Sequence, residues 1–200
     1  MNCIVGIVNY GIAGNIHSIK KVIEKAGGCA KIINVKKDLE SVDKIVIPGI
    51  GSFKDAMSEL SSNNLLEGLV EVIKTKETLG ICLGMQILAS IGFEYGNTKG
   101  LNLIDAEVKR MSVDANIPHV GFNEIDVIKT NKLLSGLENE EFYFMHSYEV
   151  INFHDVTSTT TYANHMFVSS IQKDNLYAVQ FHPEKSGEAG IKLFENFINI

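Results

Sequence analysis

The sequence predicts an α/β fold with a mostly parallel central sheet flanked by helices and with added antiparallel strands. Three observations predict it. Short apolar runs alternate with amphipathic segments in the first half, strand patterns separated by turn signals fill the second half, and an amphipathic helix closes the chain. The 200 residues are 45% hydrophobic and 21% charged, a balance typical of a globular protein with a sizeable core. No repeat or linker divides the chain, so we expect a single domain spanning residues 1–200.

The first half alternates strands and helices. The pattern predicts strands over residues 3–8, 30–35, 44–47 and 78–82. It predicts helices over residues 16–26, 62–74 and 85–91. A turn-rich loop, Asn9 to Asn15, follows the first strand, and Gly27-Gly28 ends the first helix. The strands are continuously apolar, which is typical of a parallel sheet covered on both faces.

The second half contains strand patterns with no helix between them. We predict strands over residues 104–111, 123–128, 141–150, 165–172 and 176–181, and a closing helix over 187–200. Successive strands joined by short turns favour antiparallel pairing. These strands are therefore expected to extend the parallel sheet.

Composition narrows the function classes. The net charge of −6 and the lack of a long basic run argue against nucleic-acid binding. No apolar stretch reaches 18 residues and the N-terminus lacks signal-peptide features, so we expect no membrane partner and a cytoplasmic location. Three cysteines cannot all pair within one chain, which favours a reducing compartment with free thiols. No zinc-ligand spacing and no nucleotide-binding fingerprint occurs, so we expect no metal and no cofactor.

The segment Leu79-Gly80-Ile81-Cys82-Leu83-Gly84-Met85-Gln86 carries the sharpest chemical signal. A short strand ends at Cys82, which glycines flank on both sides, and a helix begins at once; this is the nucleophile-elbow arrangement with Cys in place of Ser. A thiol at a strand's carboxyl end and a helix N-terminus is placed to react as the thiolate. A buried structural cysteine is the alternative that this segment alone leaves open. Cys3 and Cys29 lack the elbow pattern and are interpreted as packing residues.

A candidate base stands at the end of the last predicted strand, in Gln180-Phe181-His182-Pro183-Glu184. Residues i and i+2 of an extended chain point the same way, so Glu184 can orient the His182 imidazole as a carboxylate does in a triad. A solvated strand-end histidine is the alternative reading. Combined with the elbow, the pattern favours a Cys82-His182-Glu184 triad.

A third loop, Ile47-Pro48-Gly49-Ile50-Gly51-Ser52-Phe53, follows another strand. Its glycines leave backbone N–H groups available to a site. Together with the N–H of Leu83, such groups can stabilise an oxyanion.

These three elements, in this chain order, resemble the class I glutamine amidotransferases. The fragments GICLGMQIL, QFHPEKS and PGIGSF carry the resemblance. NYGIAGN, PHVGFN, FYFMHSY and the lysine of HPEKS further resemble the glutaminase subunits of imidazole glycerol phosphate synthases. The resemblance spans the whole chain.

The resemblance implies a catalytic role for each element. Cys82 would attack the side-chain amide of L-glutamine, His182 would carry the proton, and Glu184 would position His182. The oxyanion hole would come from Leu83 and from Ile50 and Gly51, the latter two through a change of peptide orientation. The residues expected to bind glutamine are Gly51, Gln86, Glu94, Ser147 and Tyr148.

The resemblance also implies a partner. Ammonia would pass to a (β/α)₈-barrel cyclase, or synthase, subunit in a heterodimer, where it is used to make imidazole glycerol phosphate in histidine biosynthesis. We expect a chain of this length to leave nothing over for that chemistry. The docking face would include Asn15, His119, Phe122, Asn123, Tyr143 and Lys185.

Two departures from the family pattern fall on that face. Phe122 stands where the family usually has Trp, and the loop Tyr10 to Asn15 is one residue longer than usual, with His17 at a position commonly held by Arg. An alternative is therefore the same glutaminase chemistry serving a paralogous amidotransferase of surface sugars. A stand-alone cysteine hydrolase of γ-glutamyl amides and a non-catalytic interaction protein are further alternatives.

Overall fold

A computed structural model describes residues 3–11, 15–151 and 154–200. Its helices are α1 Ile16–Lys25, α2 Phe53–Ser62, α3 Leu66–Ile73, α4 Leu83–Gln86 and α5 Gly187–Asn199. Its first strands are β1 Ile4–Val8, β2 Cys29–Ile33, β3 Lys44–Ile47, β4 Thr78–Ile81, β5 Ile91–Gly92, β6 Thr98–Lys99 and β7 Glu107–Arg110. The others are β8 His119–Glu124, β9 Asp126–Val127, β10 Glu141–His146, β11 Tyr148–Ile151, β12 Val156–Tyr162, β13 His165–Lys173 and β14 Leu176–Val179. No helix among these residues is long and apolar enough to span a membrane.

The main sheet has eight strands in the order β2-β1-β3-β4-β14-β13-β12-β9. Its first five strands are parallel, and the last three add antiparallel pairing. Strands β1, β3, β4 and β14 are almost wholly buried, and helices flank the sheet. The predicted fold class, a mostly parallel sheet with added antiparallel strands, is confirmed.

Sheet order brings the site together. Strands β3, β4 and β14 are direct neighbours and run parallel, so their carboxyl ends lie at one edge. The loop after β3, the turn after β4 and the segment after β14 are the three candidate elements found in the sequence. Their proximity therefore follows from topology.

Two smaller sheets stand beside this edge. Strands β8 and β10 form an antiparallel pair, and β11, β7, β5 and β6 form a four-stranded sheet. The predicted strand over 141–150 is therefore two strands that belong to different sheets, because the chain changes sheet at Ser147. The predicted strand over 123–128 is likewise divided between β8 and β9.

The helices differ from the prediction in two places. The predicted helix over 62–74 is replaced by α2 and α3, separated at Asn64, whose φ of 55° is left-handed. The Ser52 hydroxyl caps α2 by accepting a hydrogen bond from the Asp55 N–H, a start signal that the prediction overlooked. The predicted helix over 85–91 is the single turn α4, because the chain leaves it to enter β5.

Strand β12 was not predicted at all, because its sequence, VTSTTTY, is hydroxyl-rich rather than apolar. The structure buries most of these hydroxyls and pairs those of Thr157 and Ser158 with serine hydroxyls of β13. Ser158 Oγ lies 2.8 Å from Ser169 Oγ and 2.6 Å from Ser170 Oγ. Buried hydroxyls are tolerated when they are hydrogen-bonded in this way.

Candidate active site

Cys82 occupies the turn between β4 and α4 with φ 52° and ψ −108°. Such a positive φ is unusual for a residue with a side chain and is typical of a constrained functional turn. A Cβ at Gly84 would lie 1.9 Å from the Ile47 carbonyl oxygen, so only glycine allows β3 and the elbow to approach this closely. The predicted elbow geometry is therefore present, and Cys82 is 6% exposed.

Cys3 and Cys29 do not stand in a turn of this kind. Cys3 is half-buried and packs against the core, as expected. Cys29 is exposed, so its interpretation as a packing residue is wrong. The reason is that β2 is the edge strand of the main sheet and has a neighbour on one side only.

Cys82 opens onto a pocket that encloses about 170 Å³, small for a ligand site. The residues that line it are Ile50, Gly51, Cys82, Leu83, Gln86, Glu94, Pro118, Met145, His146, Ser147 and Tyr148. All residues predicted for the oxyanion hole and for glutamine binding are in this set. Pro118, Met145 and His146 were not predicted as lining residues.

His182 and Glu184 lie behind the pocket, with fully buried side chains. Nδ1 of His182 is 2.8 Å from Oε1 of Glu184. The same carboxylate oxygen accepts a hydrogen bond of 2.8 Å from the Asn15 side-chain amide. Since Oε1 accepts, Nδ1 carries the proton, and the imidazole orientation is fixed.

The electrostatics favour an ion pair between a protonated His182 and an ionised Glu184. Burial by itself would lower the pKa of His182, but Cys82 and Glu184 outweigh burial and raise it. Burial would raise the pKa of Glu184, but its hydrogen bond and attraction to His182 lower it. Nε2 of His182 has no nitrogen or oxygen partner among the described residues, which leaves this atom for the Cys82 sulfur.

The candidate oxyanion donors stand on the two loops at the sheet edge. Leu83 begins α4, where the first N–H groups of a helix have no partner within it. Gly51 has φ 117°, a conformation that favours glycine, and is exposed at the mouth of the pocket. The buried Tyr10 hydroxyl donates to the Pro48 carbonyl and so fixes the start of this loop.

Glu94 follows β5 and lines the pocket from the four-stranded sheet. Its Oε2 accepts a 2.8 Å hydrogen bond from the Phe53 N–H at the start of α2. The carboxylate is therefore held in place by α2 and remains beside the pocket, where a ligand's ammonium group would find an anion.

A buried pair of histidines supports the opposite wall. Nδ1 of His146 lies 2.9 Å from the Tyr148 carbonyl, which can only accept, so His146 donates from Nδ1 and accepts at Nε2. Nδ1 of His119 then donates to that Nε2 across 3.3 Å. Burial lowers the pKa of His146 to about 3 and also lowers the pKa of His119, so both rings stay neutral.

Three of the predicted docking residues form one surface cluster. Phe122 is 57% exposed and meets the Tyr143 ring edge-on at 5.6 Å. The ammonium of Lys185 lies 5.2 Å from the centre of the same Tyr143 ring. The cluster adjoins the predicted triad, because the Tyr143 carbonyl accepts a hydrogen bond from the His182 N–H.

Two of the other docking predictions need correction, and that of Asn123 stays a prediction. Asn15 and His119 are only 5% and 3% exposed, so neither presents a side chain to a partner. Asn15 is held by its bond to Glu184, and His119 is stacked between Tyr162 and Phe144. Asn123 is half-buried and donates to the Thr161 carbonyl. Residues 12–14 of the longer first loop lie outside the described residues.

Comparison with known proteins shows the family to which the chain belongs. Residues 7–200 match the model of the class-I glutamine amidotransferase family. The chain belongs to the class-I glutamine amidotransferases.

Curated relatives of this amidotransferase match over nearly its whole length. It is 42% identical to the imidazole glycerol phosphate synthase subunit HisH 1 of Campylobacter jejuni (strain RM1221), covering 98% of this chain and 100% of the relative. It is 39% identical to the imidazole glycerol phosphate synthase subunit HisH of Methanothermobacter thermautotrophicus, with 98% of each chain covered.

Solved structures support the fold alone. The PurLQS structure from Thermotoga maritima matches with a TM-score of 0.78 at 14% identity, covering 100% of this chain and 99% of that one. A crystal structure of a glutamine amidotransferase matches with a TM-score of 0.77 at 17% identity, covering 98% and 99%.

Proposed function

We propose that this chain is the glutaminase subunit of an imidazole glycerol phosphate synthase, which hydrolyses L-glutamine and passes the ammonia to a synthase subunit. The observation that carries the proposal is that curated relatives named as HisH subunits of imidazole glycerol phosphate synthase match over 98% of the chain. Beside it, Cys82 lines a pocket and the bonded pair of His182 and Glu184 lies behind that pocket. The partner as a (β/α)₈ barrel, the heterodimer and the cytoplasmic location are parts of the same proposal.

Glutamine would enter with its side chain toward Cys82. The Cys82 thiolate attacks the amide carbon, and the carbonyl electrons move onto the oxygen. The N–H groups of Leu83 and of the Ile50–Gly51 segment stabilise that oxygen. Glu94 attracts the ammonium group of the ligand, and Gln86, Ser147 and Tyr148 line the remaining wall.

His182 then serves as acid and base in turn. Its Nε2 gives a proton to the leaving nitrogen, so that ammonia departs and a glutamyl thioester remains on Cys82. Nε2 next takes a proton from water, which attacks the thioester and releases glutamate. Glu184 stabilises the imidazolium through Nδ1 and does not itself take the proton.

The surface cluster of Phe122, Tyr143 and Lys185 supports a partner at the triad. It combines the exposed Phe122 ring with the half-buried Tyr143 ring, and aromatic residues are enriched at protein interfaces. Lys185 adds an exposed cation against the Tyr143 ring. Phe122 supplies a flat apolar face without an indole N–H. Docking here would place the synthase subunit beside His182, where ammonia is released.

Reconstitution tests the proposal. The purified chain is mixed with the cyclase of histidine biosynthesis or with a surface-sugar amidotransferase, and product formation from glutamine and from ammonium salts is measured. We expect glutamine-dependent imidazole glycerol phosphate formation, which Cys82→Ala abolishes while ammonia-dependent formation persists.

Cys29→Ala, which removes an exposed thiol distant from the elbow, is the matched control and should retain both activities. Stimulation by the sugar amidotransferase alone would reject the histidine assignment. Full turnover without a partner would instead indicate a stand-alone hydrolase.

A further inference from the structure

The carboxamide of Gln180 is buried directly against the candidate nucleophile. Gln180 follows β14, is fully buried, and its Nε2 lies 3.5 Å from the Cys82 sulfur. We propose that Gln180 is a thiolate-binding residue, which holds an N–H donor on the sulfur in an orientation set by Gln86. This inference rests on the proposed function, since it concerns the same nucleophile.

The orientation of the two carboxamides follows from a backbone carbonyl. Gln86 lies 3.1 Å from the Tyr148 carbonyl oxygen, and that oxygen can only accept, so Gln86 must present Nε2. The second hydrogen of Nε2 points to Gln180, 3.0 Å away, so the Gln180 atom there must be Oε1. Nε2 of Gln180 is then the atom that faces Cys82.

The thiol and the thiolate of Cys82 form hydrogen bonds with different groups. A thiol can donate its proton to the Met145 carbonyl oxygen, 3.9 Å from the sulfur. A thiolate has no proton to donate and accepts instead, from Nε2 of Gln180 as well as from Nε2 of His182. A donor next to an anion favours the charged form, so Gln180 favours the thiolate, which is the reactive state.

Burial makes this donor hard to replace. Gln180 is 0% exposed and Gln86 is 5% exposed, so water does not take over the contact when a side chain is changed. Gln180 does not line the pocket, whereas Gln86 does. Loss of the Gln180 donor should therefore lower kcat for glutamine hydrolysis more than it raises KM.

Alkylation of Cys82 by iodoacetamide tests the proposal, because it reports the thiolate without glutamine or partner. Rates are followed in the full chain across a pH series by mass mapping of the Cys82 peptide. We expect Gln180→Met to move the pH midpoint of alkylation upward by about one pH unit, and Gln180→Glu, which places a carboxylate beside the sulfur, to move it further.

Gln172→Met is the matched control, since Gln172 lies on β13 and its side-chain amide donates to the Asp174 carbonyl and the Tyr177 hydroxyl, not to Cys82. It should keep the wild-type midpoint. Circular dichroism establishes that each variant is folded, and Gln180→Met decides alone if the buried carboxylate of Gln180→Glu prevents folding.

If folded Gln180→Met keeps the wild-type pH midpoint of Cys82 alkylation, the proposed role of Gln180 is overturned. This holds whether or not the chain hydrolyses glutamine. A shifted midpoint in a chain that hydrolyses no glutamine with any partner would support that role while rejecting the proposed function. The two failures are therefore distinguishable.

Discussion

Replacing His146 by glutamine removes a buried imidazole that supports the pocket wall. In the folded chain the pKa of His146 is about 3, because burial disfavours the charged ring, against an ordinary value of 6.5. The unfolded chain therefore binds more protons below pH 6.5. Stability contributed by the neutral ring is complete above that pH and is lost as the pH falls from 6.5 toward 3.

The magnitude follows from these two pKa values. Between pH 7 and pH 5, protonation of His146 in the unfolded chain reduces the free energy of unfolding by about 2 kcal/mol. His146→Gln lacks this loss, whereas the packing cost of the substitution is the same at both pH values. Wild type should therefore lose about 2 kcal/mol more than the variant over this interval.

Urea unfolding monitored by circular dichroism at both pH values measures the difference. His17→Gln is the matched control, because His17 is exposed on α1, and it should lose stability in parallel with the wild type. Parallel loss by wild type and His146→Gln would refute the reasoning, since it would mean that the folded chain protonates His146 freely.

Two further predictions concern the triad and a helix start. Glu184→Gln should lower the pKa of His182, because the variant lacks the carboxylate that helps to raise it. Nuclear magnetic resonance of the imidazole across a pH series measures this pKa. An unchanged titration would mean that Glu184 has no such effect. Ser52→Ala should cost about 1 kcal/mol in urea unfolding, because it removes the cap that accepts the Asp55 N–H, and a change near zero would mean that the cap does not stabilise α2.

The parts of the site closest to the strands were predictable from the sequence. Cys82 and His182 end apolar strands, and parallel strands in an α/β sheet present their carboxyl ends at one edge. That relation needs no knowledge of side-chain packing, which is why the elements of the predicted site meet at one sheet edge in the structure.

The features that could not be predicted depend on packing between segments that are distant in the sequence. Nothing local shows that Asn15 is buried against Glu184 or that His119 is stacked between aromatic rings, since both contacts join distant segments. Strand β12 escaped prediction because its hydroxyls find their partners on other strands, such as Ser169 on β13 and the Glu124 carbonyl on β8. Gln180 could have been found from the sequence, because it stands two residues before His182 in the strand predicted over 176–181, and residues i and i+2 of a strand point the same way.

The most direct test of the central claim, that Cys82 is the nucleophile for glutamine, uses a diazoketone analogue of glutamine. After incubation of the full chain with its synthase partner, mass mapping locates the modified residue. The account predicts modification at Cys82, prevented by excess glutamine, with Cys3 and Cys29 unmodified. An unmodified Cys82 in a preparation that hydrolyses glutamine, or modification of Cys29 in its place, would contradict it.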